Sequence, residues 1–534
     1  MKNASLIFFL FIITSVNAQR DYTNSPIDVL HYTFTLQLSD EDNIIKGDAS
    51  ISIKFTKNCS GFDLDLVNQN SSGKGMHVSA VKENNTAAVF LQETETIHIG
   101  TSAKAGDTLM YNISYQGIPA DGLIIDKNKY GHRTFFGDNW PNRAHHWLPC
   151  VDNPLDKASV DFIVTAPGHY QVVANGLQVE ENNLPGQLKQ THWKETVNLP
   201  TKVMVIGAAD FAVNYAGDVD CIPVYSWVYP EDKTAGFYDY ALAKDILPYF
   251  IKNVGPYAYR KLANVQSKTQ FGGMENASTI FYFENSVQGD RKLEALLTHE
   301  IAHQWFGNSA TEASWPHVWL SEGFATCMTH LYLENKYGHD TLQKRMAEDR
   351  ETVIAFSKKK YTPIVDTSIT RDFFQLLNAN SYQKGGWVLH MLRRKLGDAV
   401  FWKGLQNYYA AFAGRNATTD DFRKSMEVAS GQDLQLFFQQ WLYTAGHPVL
   451  KTSWKYNTSR KTLSLRIEQT QPAVFNFPLE LSIQTAGAIV LYTYTLPVKE
   501  KITLAEIPLA ASPGKIVLDP NINLLFETAA PEKK

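Results

Sequence analysis

The spacing of apolar residues changes twice along the chain, and this change limits the folds that the chain can adopt. From about 28 to 212, apolar and polar residues alternate, as at Tyr32 and Phe34. From about 216 to 446 apolar residues recur at helical spacing, and from 447 onward the alternation returns. Alternation indicates strands with one buried face, whereas the other spacing indicates amphipathic helices. We therefore predict a multidomain α+β protein.

Length and composition agree with this prediction. A chain of 534 residues is too long for one hydrophobic core, so about two to four domains are expected. The composition, 44% hydrophobic and 19% charged, is typical of a folded globular protein. We predict four segments, which are a signal peptide over 1–18, an N-terminal β domain over 19–215, a helical catalytic domain over 216–446 and a β-sandwich over 447–534.

The first eighteen residues have the pattern of a secretory signal peptide. Lys2 precedes an apolar run over 6–13, and the small residues that follow end at Ala18. The whole segment has about eleven apolar residues, too few to span a bilayer, and we expect no membrane anchor. The formal net charge of −4 gives no electrostatic reason to expect a nucleic-acid partner. The prediction is an exported protein, periplasmic or extracellular.

An H-E-x-x-H string predicts a metal site in the helical region. His299 and His303 lie in a segment, 291–306, for which we predict a helix with Asp290 as its N-cap. Residues four apart on a helix differ by roughly 40° in direction, so both imidazoles can bind one ion. Imidazole suits Zn²⁺, and Glu300 lies beside the same face.

A zinc site for catalysis needs a third protein ligand and one open position. Glu322 opens a second helical stretch, with 18 residues between it and His303. This spacing allows a loop and an antiparallel helix that returns a carboxylate to the metal. A lone glutamate before an apolar helix is usually solvated and favoured by the helix dipole. Together with the histidines we predict Glu322 as the third ligand, and Glu300 as the base that activates water.

Two further strings flank this motif. Gly272-Gly273-Met274-Glu275-Asn276 precedes the predicted zinc helix, and Tyr382-Gln383-Lys384-Gly385 follows Glu322. With the metal motif they closely resemble the M1 family of zinc aminopeptidases, the gluzincins that include aminopeptidase N and leukotriene A4 hydrolase. The resemblance covers nearly the whole exported chain. It implies a saddle-like N-terminal β domain, a thermolysin-like catalytic domain, a small β-sandwich and one Zn²⁺ per chain.

The resemblance also implies residue roles and partners. Glu275 would bind the α-ammonium group of a peptide with a free N-terminus, and Tyr382 would donate a hydrogen bond to the oxyanion. The glycines would present their backbone to the substrate. The assigned substrate-binding residues are Gly272, Gly273, Met274, Glu275 and Asn276. The resemblance implies peptide breakdown, and we expect the protein to be a monomer or a weak oligomer.

The sequence departs from the family pattern in three places. Gly273 stands where the family usually has Ala. The family places a second residue that binds the substrate amine before a proline-cysteine segment, which is Pro149-Cys150 in this chain. Asp138 is our candidate for this second amine anchor. An Asp-Asn turn explains the residue almost as well. The chain also ends soon after the predicted β-sandwich, so we expect it to lack the helical C-terminal domain of longer members and to have a more open cleft.

Three other functions stay open on the sequence alone. An enzyme like leukotriene A4 hydrolase would add epoxide opening at the same zinc. A binding protein could keep the fold without catalysis, although such a chain is expected to lose a ligand, the base or the tyrosine. A thermolysin-like protease would cut inside chains, and Glu275 disfavours it.

Overall fold

The computed structural model describes residues 22–485 and 491–529. The predicted signal peptide over 1–18 lies outside these ranges. The first 188 described residues, 22–209, form strands joined by turns and short 3₁₀ helices. The strands are β1 Ile27–Gln37, β2 Ile45–Phe55, β3 Cys59–Asp65, β4 Gly75–Glu83, β5 Thr86–Ala87, β6 Phe90–Gln92, β7 Thr96–Ala103, β8 Thr108–Ile118, β9 Leu123–Lys127, β10 Arg133–Gly137, β11 Ala158–Pro167, β12 Gln171–Ala174, β13 Leu177–Leu184, β14 Leu188–Leu199 and β15 Ile206–Ala209.

These strands form three sheets. The largest has eight strands in the order β13-β14-β11-β1-β2-β8-β4-β5, and a four-stranded sheet has the order β12-β15-β10-β9. The third has the order β3-β7-β6. In the large sheet β1 runs parallel to β11, so that Phe34 lies beside Phe162. Both rings are buried and stack at a centroid distance of 5.6 Å, because alternate residues of each strand face the core.

The helical region begins with a five-stranded sheet of order β16-β17-β18-β20-β19. Its strands are β16 Ala212–Val219, β17 Ile222–Val228, β18 Leu262–Ser267, β19 Gly273–Met274 and β20 Thr279–Phe283, and the short pair β21 Thr311–Glu312 and β22 Asn416–Ala417 lies apart. The predicted boundary between 215 and 216 falls inside β16. Since β16 pairs with β17, this strand packs with the sheet of the helical region.

The described ranges contain nine α-helices. They are α1 Lys233–Tyr240, α2 Ala243–Asn253, α3 Glu294–Ala302, α4 Trp319–Tyr337, α5 His339–Ser357, α6 Gly385–Leu396, α7 Asp398–Phe412, α8 Thr419–Ser430 and α9 Gln435–Phe438. Of these, α1, α2 and α3 contact the five-stranded sheet. Two π-helical turns, Asn380–Lys384 and Gln439–Tyr443, precede α6 and follow α9. None of the helices in the described residues is both long and apolar enough to cross a membrane.

The C-terminal strands form two further sheets. These strands are β23 Val449–Asn457, β24 Thr462–Gln469, β25 Phe477–Thr485, β26 Leu491–Val498, β27 Ile502–Pro508, β28 Pro513–Leu518 and β29 Glu527–Thr528. One sheet has the order β27-β24-β23-β29 and the other β26-β25-β28, and both bury alternate residues such as Leu465 and Leu481. A β region, a helical region and C-terminal strands follow in the predicted order, which confirms the predicted fold class.

Buried cations join the N-terminal β region to the helical region. The Lys202 ammonium pairs with the Glu312 carboxylate at 2.5 Å, and neither side chain is more than 1% exposed. The Lys157 ammonium donates to the backbone carbonyls of Asn308 and Ser309, at 3.2 and 2.8 Å. Asn308 to Glu312 directly follow the predicted metal helix along the chain. The β region therefore holds the segment that leaves the metal site.

We predict that Glu312→Gln destabilises the protein by about 3 kcal/mol, because it leaves the Lys202 charge buried without a counter-charge. The double variant Lys202→Met/Glu312→Leu should recover most of the loss, since it removes both charges. Thermal unfolding followed by circular dichroism tests this. Equal melting temperatures for the wild-type and Glu312→Gln proteins would contradict the prediction.

Candidate active site

Two antiparallel helices bring the predicted metal ligands together. Helix α3 carries His299 and ends at its C-cap, His303, while Glu322 lies in the first turn of α4. At one end of the pair, the Ser321 hydroxyl lies 3.0 Å from His303 Nδ1. At the other end, the Tyr332 hydroxyl donates to the Glu294 carboxylate at 3.2 Å. These contacts fix the direction of α4 against α3 and return the carboxylate to the two histidines.

The three side chains form a compact set of metal-binding atoms. One ligand atom from each of His299, His303 and Glu322 lies within 4.8 Å of the others. Glu322 Oε2 is 3.4 Å from His299 Nε2 and 3.3 Å from His303 Nε2. Burial opposes the charged form of Glu322, but the two histidines hold the pKa of its carboxyl well below the ordinary value. Two imidazoles and one carboxylate fit a zinc ion with one open position.

The second nitrogen of His303 is held in place by its surroundings. His303 Nδ1 lies 3.1 Å from the Phe306 carbonyl and 3.0 Å from the Ser321 hydroxyl. An imidazole that donates from Nδ1 leaves Nε2 free for a metal. The turn that supplies the carbonyl passes through Gly307, whose φ of +111° is a conformation that side chains rarely adopt. A Cβ at Gly307 would also lie 2.1 Å from the Ser321 hydroxyl oxygen.

Helix α3, which carries the first metal ligand, is shorter than predicted and begins at a different residue. It runs from Glu294 to Ala302, and Leu293 occupies the N-cap position instead of Asp290. Arg291 has a φ of +58°, which breaks a helix, and the Asp290 carboxylate accepts from the Lys292 backbone instead. The prediction of a helix over 291–306 was therefore wrong at both ends. The metal-binding turn between them forms as predicted.

Glu300 lies beside the ligands on the wall of a cavity of about 400 Å³. Burial raises the pKa of its carboxyl well above the ordinary value; His303 opposes this shift, while Glu275 and Glu322 add to it. Gly273 leaves the space that this carboxylate occupies, since a Cβ there would lie 2.3 Å from a Glu300 oxygen. The glycine that departs from the family pattern is thus in direct contact with the predicted base.

Glu275 follows the edge strand β19 and reaches the same cavity. Its backbone carbonyl accepts from Gln304 Nε2 at 2.9 Å and from Asn308 Nδ2 at 2.6 Å, so that the metal helix and its following turn fix its position. The side chain is 5% exposed, and its Oε1 has no hydrogen-bond partner among the described residues. An unpartnered buried carboxylate oxygen facing a cavity is suited to binding a cation.

Tyr382 lies in the π-helical turn Asn380–Lys384 and lines the cavity. Its ring stacks on the His299 imidazole at a centroid distance of 5.9 Å and an angle of 11°. Burial raises the pKa of the Tyr382 hydroxyl well above its ordinary value, so the group stays protonated and can donate a hydrogen bond.

Most of the predicted substrate-binding residues line the cavity. Gly272, Gly273, Met274 and Glu275 do so. Asn276 is fully buried and is not part of the cavity wall. It directly follows Glu275 on the chain, and the side-chain nitrogen and oxygen of Asn276 have no hydrogen-bond partner among the described residues.

Asp138 does not reach the cavity. It is fully buried, and its carboxylate pairs with Arg143 at 2.8 Å and accepts from the Thr269 hydroxyl and the Gln270 backbone at 3.2 Å. This geometry corrects the prediction of a direct amine anchor, because the charge is already paired behind the cavity wall. Asp138 supports the loop before Gly272 instead, and Trp140 is the residue of the β region that lines the cavity.

The sequence analysis did not predict the residues that line the part of the cavity farther from Glu275. Thr326 and Thr329 follow Glu322 at helical spacing and could have been found from that spacing. His330, Arg345 and Asp349 also line the cavity, but as single residues on α4 and α5 they have no sequence motif.

This arrangement defines a class of site before any comparison. Two histidines and a glutamate on antiparallel helices, with a second glutamate and a tyrosine around the open position, form a zinc site of the kind found in metallopeptidases.

Comparison with known proteins identifies the family. The family model described as "Peptidase M1 N-terminal domain" matches residues 28–203, and the "Peptidase family M1 domain" matches residues 238–441. The chain belongs to peptidase family M1, and its metal is zinc.

Individual relatives agree with this assignment. "Probable aminopeptidase 2" of Sulfurisphaera tokodaii is 27% identical over 430 residues, which cover 77% of this chain and 54% of the relative. The crystal structure of Legionella pneumophila aminopeptidase A in complex with aspartic acid has a TM-score of 0.83 at 16% identity, covering 96% of this chain and 60% of that one. The M1 zinc metallopeptidase of Deinococcus radiodurans has a TM-score of 0.66 at 23% identity, covering 78% and 94%. The chain spans about half the length, or less, of the curated relatives it matches.

We predict that Ser321→Ala lowers zinc affinity by about tenfold, because groups that orient a ligand histidine contribute factors of about 10 to 100 in metal affinity. Titration of the apoprotein against a competing zinc chelator measures this. Ser425→Ala is the matched control, since among the described residues its hydroxyl bonds a backbone carbonyl within α8, at 2.9 Å, and nothing else. Equal zinc affinities for the Ser321→Ala and Ser425→Ala proteins would contradict the prediction.

Proposed function

We propose that this protein is an exported zinc aminopeptidase that removes the first residue from peptides with a free N-terminus. One observation carries the proposal. The buried, unpartnered Glu275 oxygen lies in the same cavity as the His299, His303 and Glu322 set. A carboxylate fixed at one distance from the metal selects substrates with an ammonium group beside the bond to be cleaved.

Each residue around the open position has a separate task. When bound, zinc acts as a Lewis acid that polarises a carbonyl and lowers the pKa of water. The ionised Glu300 carboxylate accepts a proton from the attacking water and, as the carboxylic acid, passes it to the leaving amine. The Tyr382 hydroxyl donates a hydrogen bond to the negative charge that develops on the carbonyl oxygen.

The position of Glu275 in this cavity favours cleavage at the N-terminus of a peptide over cleavage inside it. The Glu275 backbone carbonyl accepts from the side-chain amides of Gln304 and Asn308, which follow His303 in the turn after α3, so the distance of Glu275 from the metal is set. A peptide without a free ammonium would leave the Glu275 charge buried and unpaired, which disfavours its binding. Export rests on the predicted signal peptide over 1–18 alone.

We predict that the protein cleaves aminoacyl p-nitroanilides with a free amine and that kcat/KM falls at least about 100-fold for the N-acetylated forms, since acetylation removes the charge that Glu275 binds. Activity should be lost with a zinc chelator and return with Zn²⁺. Initial rates of hydrolysis measured at saturating and at limiting substrate concentrations give kcat and kcat/KM.

The control is Glu300→Ala, which should keep one zinc per chain by elemental analysis while kcat falls by several orders of magnitude. A residual rate equal to that of the wild-type protein would reveal a contaminating peptidase. Equal cleavage of free and acetylated substrates by the wild-type protein would overturn the aminopeptidase assignment.

A further inference from the structure

The active-site cavity has two chemically different ends. Glu275 lies at the end where α3 finishes, because Gln304 and Asn308 hold its backbone. The opposite end is lined by the start of α3, by α4 beyond Glu322 and by α5. The lining residues there are Ala295, Leu296, Thr326, Thr329, His330, Arg345 and Asp349.

The antiparallel helices set the distance between these ends. Glu322 is in the first turn of α4, and His330 lies eight residues later. At about 1.5 Å per residue, His330 is about 12 Å farther along the helix than the zinc ligand. If the first residue of a peptide is anchored at Glu275 and the bond lies over the metal, the second residue extends toward His330. This step rests on the proposed function.

At this far end, hydrogen bonds link three polar side chains in a row. Arg345 Nε donates to His330 Nδ1 at 2.9 Å, and His330 Nε2 lies 2.7 Å from an Asp349 carboxylate oxygen. Because arginine is always a donor, Nδ1 must accept, and Nε2 therefore carries the ring proton and donates to Asp349. Because His330 is only 3% exposed, these hydrogen bonds fix the direction of the Arg345 guanidinium.

The Arg345 guanidinium keeps its terminal amino groups available. Across the described ranges, it makes no ion pair with a carboxylate within 4.0 Å, and its only hydrogen bond uses Nε. Two other arginines of the helical region are paired with carboxylates, Arg350 on α5 with Asp519 and Arg393 on α6 with Glu334. An oriented guanidinium with two free amino groups binds a carboxylate through two parallel hydrogen bonds.

We propose that Arg345 binds a carboxylate on the residue that follows the cleaved bond, and so sets the substrate preference at that position. Either of two groups supplies this chemistry, the side chain of an aspartate or glutamate or the C-terminal carboxylate of a dipeptide. Asp349 acts through His330, as a positioning residue for the guanidinium.

Two substrate pairs test this proposal, each built on the first residue that the wild-type protein cleaves best. The first pair is an amidated tripeptide with Glu or Gln in second position. The second pair is a dipeptide with a free or an amidated C-terminus. We expect the carboxylate form to have a kcat/KM about tenfold higher in at least one pair, and that pair identifies the source of the carboxylate.

Arg345→Gln should bring this ratio close to one, while Lys344→Gln, which removes a neighbouring exposed charge, should retain it. Each ratio is measured within one enzyme, so a general loss of activity cancels. Arg345→Lys keeps the positive charge but loses the planar guanidinium group, so it should give an intermediate ratio. This variant replaces Arg345→Gln in the test if Arg345→Gln does not fold.

A wild-type ratio near one in both pairs, or a ratio that survives Arg345→Gln, would overturn the proposal. Both results require measurable cleavage. A protein that cleaves none of these peptides would instead contradict the proposed function.

Discussion

The antiparallel packing of α3 against α4 is the contact on which the site depends. It places Glu322 against His299 and His303, with its oxygen 3.3 to 3.4 Å from both imidazole nitrogens. The same contact puts Ser321 beside the second nitrogen of His303. Because both helices are largely buried, a change in their relative position would disturb the core and the metal ligands together. Metal geometry and fold stability are therefore coupled here.

The cavity combines this rigid frame with groups that lack protein partners. Among the residues that the structure describes, a Glu275 carboxylate oxygen has no hydrogen-bond partner at one end, and the terminal amino groups of Arg345 have none at the other. Unpaired polar groups in a buried site cost free energy, which a ligand of opposite charge can recover. A peptide with an ammonium group at its start and a carboxylate farther along has charges of the right sign at both ends. In the proposed function, substrate selectivity therefore follows from the charges at the two ends of one cavity.

The sequence predicted the order of regions, because the period of apolar residues reports which faces are buried. It also predicted the cavity residues that belong to spaced motifs, such as His299 and Glu275. It failed for Asp138, whose charge is paired with Arg143 through a fold that no local pattern describes. The Arg345 end was not predicted either, since it joins side chains from two helices without a shared motif. Contacts between distant segments were the part that the sequence did not reveal.

Anomalous diffraction at the zinc absorption edge, from crystals of the zinc-loaded protein, tests most directly whether the three side chains bind one metal. We expect one strong peak per chain, about 2.0 to 2.2 Å from a nitrogen of His299, a nitrogen of His303 and an oxygen of Glu322. A peak at other side chains, or one bonded to only two of these three residues, would contradict this expectation.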